Sequence, residues 1–256
     1  VIFGQRIRYF PLERIKREMD LLVDKYNIKI LYFQDDTFTA NERMVNDICD
    51  YITEKGYDKK LEINVSTRPD AVCLPTLRKM KNAGVKWICF GVESGNQRIL
   101  DRMGKGISVQ QIKDAFKKAN DVGLYVNGNF MIGHLGETYE SAMDTINLAC
   151  SLGQDYASFS IAIPLPGTEL YRHCVDNGIR LPSWSGFGNV NSPPIPLNDG
   201  LSSDLIRKLR ILAVNRFFKR SAYLIRLSGR FHFLSLIKDF VRMHIALKKE
   251  IRAGRY

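Results

Sequence analysis

Five short polar clusters in this sequence could do chemistry: Gln34-Asp35-Asp36, Ser66-Thr67-Arg68, Glu93-Ser94, Asn127-Gly128-Asn129 and Gly133-His134-Leu135-Gly136-Glu137. A carboxylate can accept two ribose hydroxyls or hold an ammonium group, a guanidinium can grip a carboxylate, and glycine lets backbone approach a ligand closely. Each cluster follows a short apolar run. The stretch Lys86 to Gly95, K-W-I-C-F-G-V-E-S-G, is the clearest case: no charge interrupts Trp87 to Val92, as in a strand buried on both faces, and the run stops at Glu93. Polar groups at the carboxyl ends of successive parallel strands converge on a ligand. Taken singly, several have plainer readings. Ser94 fits a helix cap as well as a ligand, Glu137 fits a first-turn carboxylate, and His134 fits a solvated loop residue.

The elements that must position these tips alternate regularly. Helical spacing of Leu12, Ile15, Met19, Leu22 and Val23 predicts an amphipathic helix over Pro11 to Tyr26. Strands are expected at Ile28 to Phe33, Leu61 to Val65, the Lys86 stretch, Leu124 to Ile132 and Tyr156 to Ile163. Helices are expected at Asn41 to Lys55, Pro75 to Ala83, Val109 to Val122 and Tyr139 to Leu152. This alternation predicts βαβ units and a parallel sheet. A helix before the first strand is unusual in such a layout, so the pattern implies a missing upstream strand and a chain truncated at its amino end.

The 256 residues, 45% of them apolar, suffice for a sizeable core. No apolar run reaches the roughly eighteen residues that cross a bilayer, and the first ten residues lack the features of a signal peptide. The five cysteines, Cys49, Cys73, Cys89, Cys150 and Cys174, have no metal-ligand or redox-pair spacing, which predicts reduced, mostly buried thiols in a cytoplasmic protein. The net charge of +11 is unevenly placed: residues 1–200 carry 24 Lys and Arg against 24 Asp and Glu, and residues 201–256 carry 14 against 3. The sequence therefore divides into a core at 1–178, a proline-rich loop or crossover at 179–200, and a basic extension at 201–256. Two amphipathic helices are expected in that extension: Ser202 to Leu227, with Leu205, Leu209, Leu212 and Phe217 on its apolar face, and Phe231 to Lys249. They could pack on the core with a solvated basic face, lie at an anionic inner-membrane surface, or bind a nucleic acid backbone, the last being the least favoured.

Five segments together resemble the radical S-adenosylmethionine (radical SAM) enzymes, and within them the subgroup with a cobalamin-binding domain: Y-F-Q-D-D-T-F (32–38), S-T-R-P-D (66–70), F-G-V-E-S-G (90–95), F-M-I-G-H-L-G-E-T (130–138) and S-I-A-I-P-L-P-G-T-E-L-Y (160–171). The resemblance covers roughly residues 1–178. It implies an α/β fold, a partial (β/α)6 TIM-like barrel missing its first strand and followed by the basic helical extension. It also implies that Asp35 and Asp36 lie near the methionine amino group, that Glu93 and Ser94 contact the ribose or methionyl part, and that Ser66 and Arg68 bind the cofactor as well. Asn129 lies among these cofactor contacts, and Gly133, Ile163 and Pro164 flank adenine.

The cofactors implied are S-adenosylmethionine, a [4Fe-4S] cluster, and cobalamin held by an upstream domain of the same polypeptide. The substrate expected is a small or lipid-like molecule. The intact protein would cleave S-adenosylmethionine reductively to a 5'-deoxyadenosyl radical, for methylation or a related C–H transformation. The family's C-x3-C-x2-C cluster loop is absent, and Cys73 and Cys89 sit on the wrong elements to replace it. The expectation is that the loop precedes residue 1 and that this stretch alone is inactive. His134-Leu135, where relatives usually have an apolar residue and proline, is a second departure. Two other readings stay open: a tRNA methylthiotransferase-like enzyme, and a cluster-free nucleoside-binding scaffold.

Overall fold

The computed structural model describes residues 8–181, 194–197, 201–221, 223, 225 and 226. Five strands form one parallel sheet in the order β1-β2-β3-β4-β5: β1 Ile30–Phe33, β2 Glu62–Thr67, β3 Val85–Glu93, β4 Tyr125–Ile132 and β5 Tyr156–Ile161. Sequential order is what short βαβ crossovers produce. The helices are α1 Leu12–Asp20, continued by a π-helical turn at Leu21–Lys25, α2 Glu42–Glu54, α3 Leu74–Asn82, α4 Gln97–Arg102, α5 Val109–Asp121, α6 Tyr139–Ser151, α7 Glu169–Asp176 and α8 Ser203–Phe218. The α/β architecture expected from the alternation is the one observed. The short helices α4 and α7 escaped the periodicity, because six and eight residues give too few turns to establish one.

Local chemistry sets several boundaries. Asn41 accepts the Met44 N–H at 3.1 Å and starts α2, and Ser108 with Gln111 closes a reciprocal capping box on α5. Thr168 caps α7 and Ser202 caps α8 in the same way.

Two compact units are distinguishable. The first comprises residues 1–93, 103–130 and 152–158. One face of its sheet buries Ile63, Val65, Ile88, Phe90 and Val126 beneath helices that contribute Ile48, Leu77, Met80, Ile112 and Phe116. The Phe90 and Phe116 rings stand 5.0 Å apart. Each such side chain contributes about 1.5–3 kcal/mol relative to exposure. The second unit comprises residues 94–102, 131–151 and 159–256. Here α6 packs on α8, whose buried residues are Ile206, Leu209, Arg210, Ala213, Phe217 and Phe218.

That stripe corrects the face expected for the last helix. Leu212 is 39% exposed and Leu205 only part-buried, because the face toward α6 runs through 206, 209, 213 and 217. The expected single helix to Leu227 instead breaks after Phe218, with a turn at Lys219. The helix expected at Phe231 to Lys249 and most of the loop 182–200 lie outside the described residues.

Candidate active site

In the first unit a cleft of about 260 Å³ opens at the carboxyl ends of β1, β2 and β3. The pleat decides which side chains reach it. Register pairs Ser66 with Cys89 and Cys89 with Asn127, then Gly91 with Asn129, so these residues share one sheet face while Val65, Ile88 and Val126 share the other. Between Gly91 and Glu93 the β3–β4 register shifts, and Glu93 takes a left-handed conformation at φ 67°. A bulge of this kind re-aims the side chain at a strand end, here into the cleft.

Glu93 Oε1 accepts from Lys105 Nζ at 3.0 Å, with the two side chains only 24% and 17% exposed. Both atoms lie over the bare Cα of Gly91: a methyl group there would stand 3.0 Å from Glu93 Oε1 and 3.2 Å from Lys105 Nζ. Arg68 holds Asp70 through two bonds of 2.9 Å and donates to the Lys105 carbonyl at 2.7 Å. Lys105 stands between Gly104 and Gly106, both with positive φ, so the loop turns sharply on either side of it.

Asp35 and Asp36 form the acidic rim. The Asp35 carboxyl is pushed above its ordinary value, first by loss of water around it and then by the charge of Asp36. Deeper in, the Tyr32 hydroxyl and Ser66 Oγ are 2.5 Å apart, and Asn127 Nδ2 donates to Cys89 Sγ at 3.3 Å. Burial raises the Cys89 thiol, against hydrogen bonds from Ser66, Asn129 and Asn127 that lower it.

Of the residues singled out in the sequence, Asp35, Asp36, Ser66, Arg68, Glu93 and Asn129 line this one cleft. Ser94 does not. It is fully buried in the second unit, where Oγ accepts the Asn96 N–H at 3.1 Å and lies 3.2 Å from Thr145 Oγ1; this fastens the turn ahead of α4, and the helix N-terminus is capped by Asn96, whose Oδ1 accepts the Ile99 N–H at 3.4 Å. Gly133 and Pro164 are buried in that unit and Ile163 is part-buried. The Gly133 N–H donates to Glu137 Oε2 at 2.5 Å. Glu137 is 1% exposed, its Oε1 has no hydrogen bond, and burial pushes its carboxyl up to about 7 despite the pull of the Gly133 and His134 amides. His134 Nδ1 sits 3.2 Å from the Leu135 carbonyl.

Gln34 and Thr67, members of the polar clusters, also line the cleft; the lining residues that sequence reasoning missed are Lys105, Tyr32, Cys89 and Gly91. For Lys105 a signal existed, a charged residue between two turn glycines, but nothing in the sequence tied that loop to Glu93 twelve residues earlier.

The charge pattern suits a ligand carrying both a cation and an anion. Glu93 and the aspartates can take an ammonium or ribose hydroxyls, and Lys105 and Arg68 can face a carboxylate. An iron–sulfur cluster does not fit these residues: among the described residues no three His, Cys, Asp or Glu side chains are grouped to hold a metal, and Cys89 is the single thiol lining the cleft.

Comparison with known proteins agrees with the motifs. The chain is 36% identical over 225 residues to the uncharacterized methyltransferase PH0819 of Pyrococcus horikoshii, covering 88% of this chain and 48% of that protein. It is 28% identical over 205 residues to the cytidylyl-2-hydroxyethylphosphonate methyltransferase of Streptomyces wedmorensis, covering 75% and 38%. The chain thus spans less than half the length of these curated relatives. The fold matches the radical S-adenosylmethionine methyltransferase TsrM of Kitasatospora setae, with a TM-score of 0.60 over 80% of this chain and 39% of that one at 15% identity. A match to the Radical SAM superfamily spans residues 2–149, and on that extent the chain belongs to the radical SAM superfamily.

Proposed function

We propose that this chain is the S-adenosylmethionine-binding part of a radical SAM enzyme whose full-length form transfers a methyl group, with cobalamin assistance, or carries out a related C–H transformation. The observation that carries the reading is the convergence of Asp35, Asp36, Arg68, Glu93 and Lys105 on one cleft at the carboxyl ends of parallel strands. In this reading Lys105 and Arg68 meet the methionyl carboxylate. Asp35 or Asp36 takes the ammonium, whose positive charge draws the raised Asp35 carboxyl back toward ionisation. Glu93 exchanges its bond to Lys105 for the ribose hydroxyls, and Gly91 leaves room over the strand for the ligand.

A [4Fe-4S] cluster, when bound, supplies the electron that cleaves the sulfonium. No such step is assigned to residues of this chain, and the proposal places the cluster ligands outside residues 1–256. Methyl transfer and cobalamin are supported by the names of the relatives: two are called methyltransferases, and a structure that matches this fold, TsrM, is described with cobalamin bound. A small or lipid-like substrate, a cytoplasmic setting and contact of the basic extension with an anionic surface complete the proposal.

The test is anaerobic reconstitution of the full-length protein with iron and sulfide, followed by assay for 5'-deoxyadenosine and for methyl transfer. Reductive S-adenosylmethionine cleavage is the expected outcome. A well-folded protein giving neither cluster absorbance nor cleavage product would overturn the proposal.

A further inference from the structure

The sheet ladder does not hold the acidic rim in place. In the first unit the β1–β2 register ends at Phe33 and Val65, and Gln34, Asp35 and Asp36 run on beyond it as exposed residues. Two contacts fix the far end of this loop. Phe38 is buried with its ring 4.7 Å from that of Phe33, so residues 34–37 are gathered between two paired rings. The next residue, Thr39, is 6% exposed, and its hydroxyl bonds to the hydroxyl of Thr67, 2% exposed, at the end of β2. Among the described residues this is the one side-chain hydrogen bond from residues 34–40 to β2. It is not spent on starting α2, which takes its cap from Asn41. An apolar pair of the same shape would fill the place as well, because burying two hydroxyls gains little over burying two methyl groups. What the hydroxyl pair adds is direction: ring contacts let a loop slide, whereas a buried hydrogen bond fixes its register. Thr67 stands between Ser66 and Arg68, so the bond joins the loop that carries the carboxylates to the strand tip that carries a cation, both at the same cleft.

We propose that Thr39, which does not itself line the cleft, is a positioning residue for the amino-acid end of the cofactor: through Thr67 it holds Asp35 and Asp36 at the spacing from Arg68 and Lys105 that a ligand's ammonium and carboxylate require. A small displacement of such groups costs affinity out of proportion to its size. The inference rests on reading the cleft as the S-adenosylmethionine site.

The experiment measures, on the full-length protein, the urea midpoint and the affinities for S-adenosylmethionine and for 5'-methylthioadenosine, which keeps the nucleoside but has neither ammonium nor carboxylate. Thr39→Val leaves the Thr67 hydroxyl unmatched. It should lower the midpoint and weaken S-adenosylmethionine about tenfold, with 5'-methylthioadenosine changed less than about twofold. Adding Thr67→Val makes the pair apolar, and should restore the midpoint but not the affinity. Thr39→Ser keeps the hydroxyl and should bind S-adenosylmethionine within about threefold of the unaltered protein. Affinity that returns with the midpoint, an equal loss for both ligands, or Thr39→Ser as weak as Thr39→Val would each overturn the proposal and leave Thr39 a packing contact. A readout without ligand separates this from the reading of the cleft. The Asp35 carboxyl, which Asp36 faces along the loop and Arg68, Glu93 and Lys105 face across the cleft, is followed against pH by carbon NMR, its signal assigned by loss in Asp35→Asn. In the double variant its midpoint should fall toward the ordinary carboxylate value, as water returns and Asp36 moves away. An unchanged midpoint would overturn the proposal whatever the ligands do. A fallen midpoint in a protein whose unaltered form binds no S-adenosylmethionine would instead overturn the reading of the cleft and leave the hold of Thr39 on the acidic loop standing.

Discussion

Two carboxylates end consecutive stretches of this chain, and they live in opposite conditions. Glu93, at the tip of β3 in the first unit, is part-exposed, paired with Lys105 and set beside other charges in an open cleft. Glu137, after β4 in the second unit, is almost wholly buried, takes the Gly133 N–H, and keeps one oxygen without a hydrogen bond. The first is arranged to exchange partners with a ligand. The second fastens a turn of its own backbone, and burial makes its charge unwelcome. The same residue type at a strand end thus serves binding where water and counter-charge remain, and folding where both are removed.

The largest expected effect lies in the buried region. Gly95 lies against the α6 backbone, where a methyl group would stand 2.6 Å from the Asp144 carbonyl oxygen and 2.7 Å from Thr145 Cα. Gly95→Ala should destabilise by roughly 3 kcal/mol or more, read as a shift in urea midpoint, since backbone cannot yield as a side chain can. A change under about 1 kcal/mol would show that this approach is not tight.

Next comes Glu137. Its folded value of about 7 lies above the ordinary 4.5, so the folded protein holds the proton more firmly than the unfolded chain. Stability should therefore fall as pH rises from about 4.5 to about 7 and level off above, by on the order of 3 kcal/mol from this group. Denaturation of the unaltered protein and of Glu137→Gln across that range checks it. The variant should lose this part of the slope, and an unchanged slope would place the charge outside the buried turn.

In the cleft the order reverses, with ligand affinity moving more than stability. Lys105→Ala should weaken S-adenosylmethionine binding about tenfold while changing stability by less than about 1 kcal/mol, because a part-exposed ion pair contributes little to folding. If stability fell and affinity did not, Glu93 and Glu137 would belong to one class after all. The smallest effect is expected of Arg68→Lys, which loses the two-pronged hold on Asp70 and weakens binding about threefold.

How much of this was legible beforehand differs by element. Apolar runs marked all five strands, four of them ending in polar or glycine tips and the fifth in Pro164-Leu165-Pro166-Gly167, and caps such as Ser108 with Gln111 can be read from a few residues in a row. Ser94 was ambiguous because its neighbours fit both a cap and a ligand, and its partner Thr145 lies 51 residues away. Lys105 was missed for the same reason: its contacts to Glu93 and Arg68 join separate crossovers.

The sequence by itself determined the alternation, the parallel sheet and the chemical types at the strand ends, because hydrophobic period and turn residues act over a few neighbours. The tertiary structure decided which tips share water and a cleft, and which carboxylate meets a lysine and which meets only backbone. Those outcomes depend on register and burial, which arise only when segments distant in the chain are packed together.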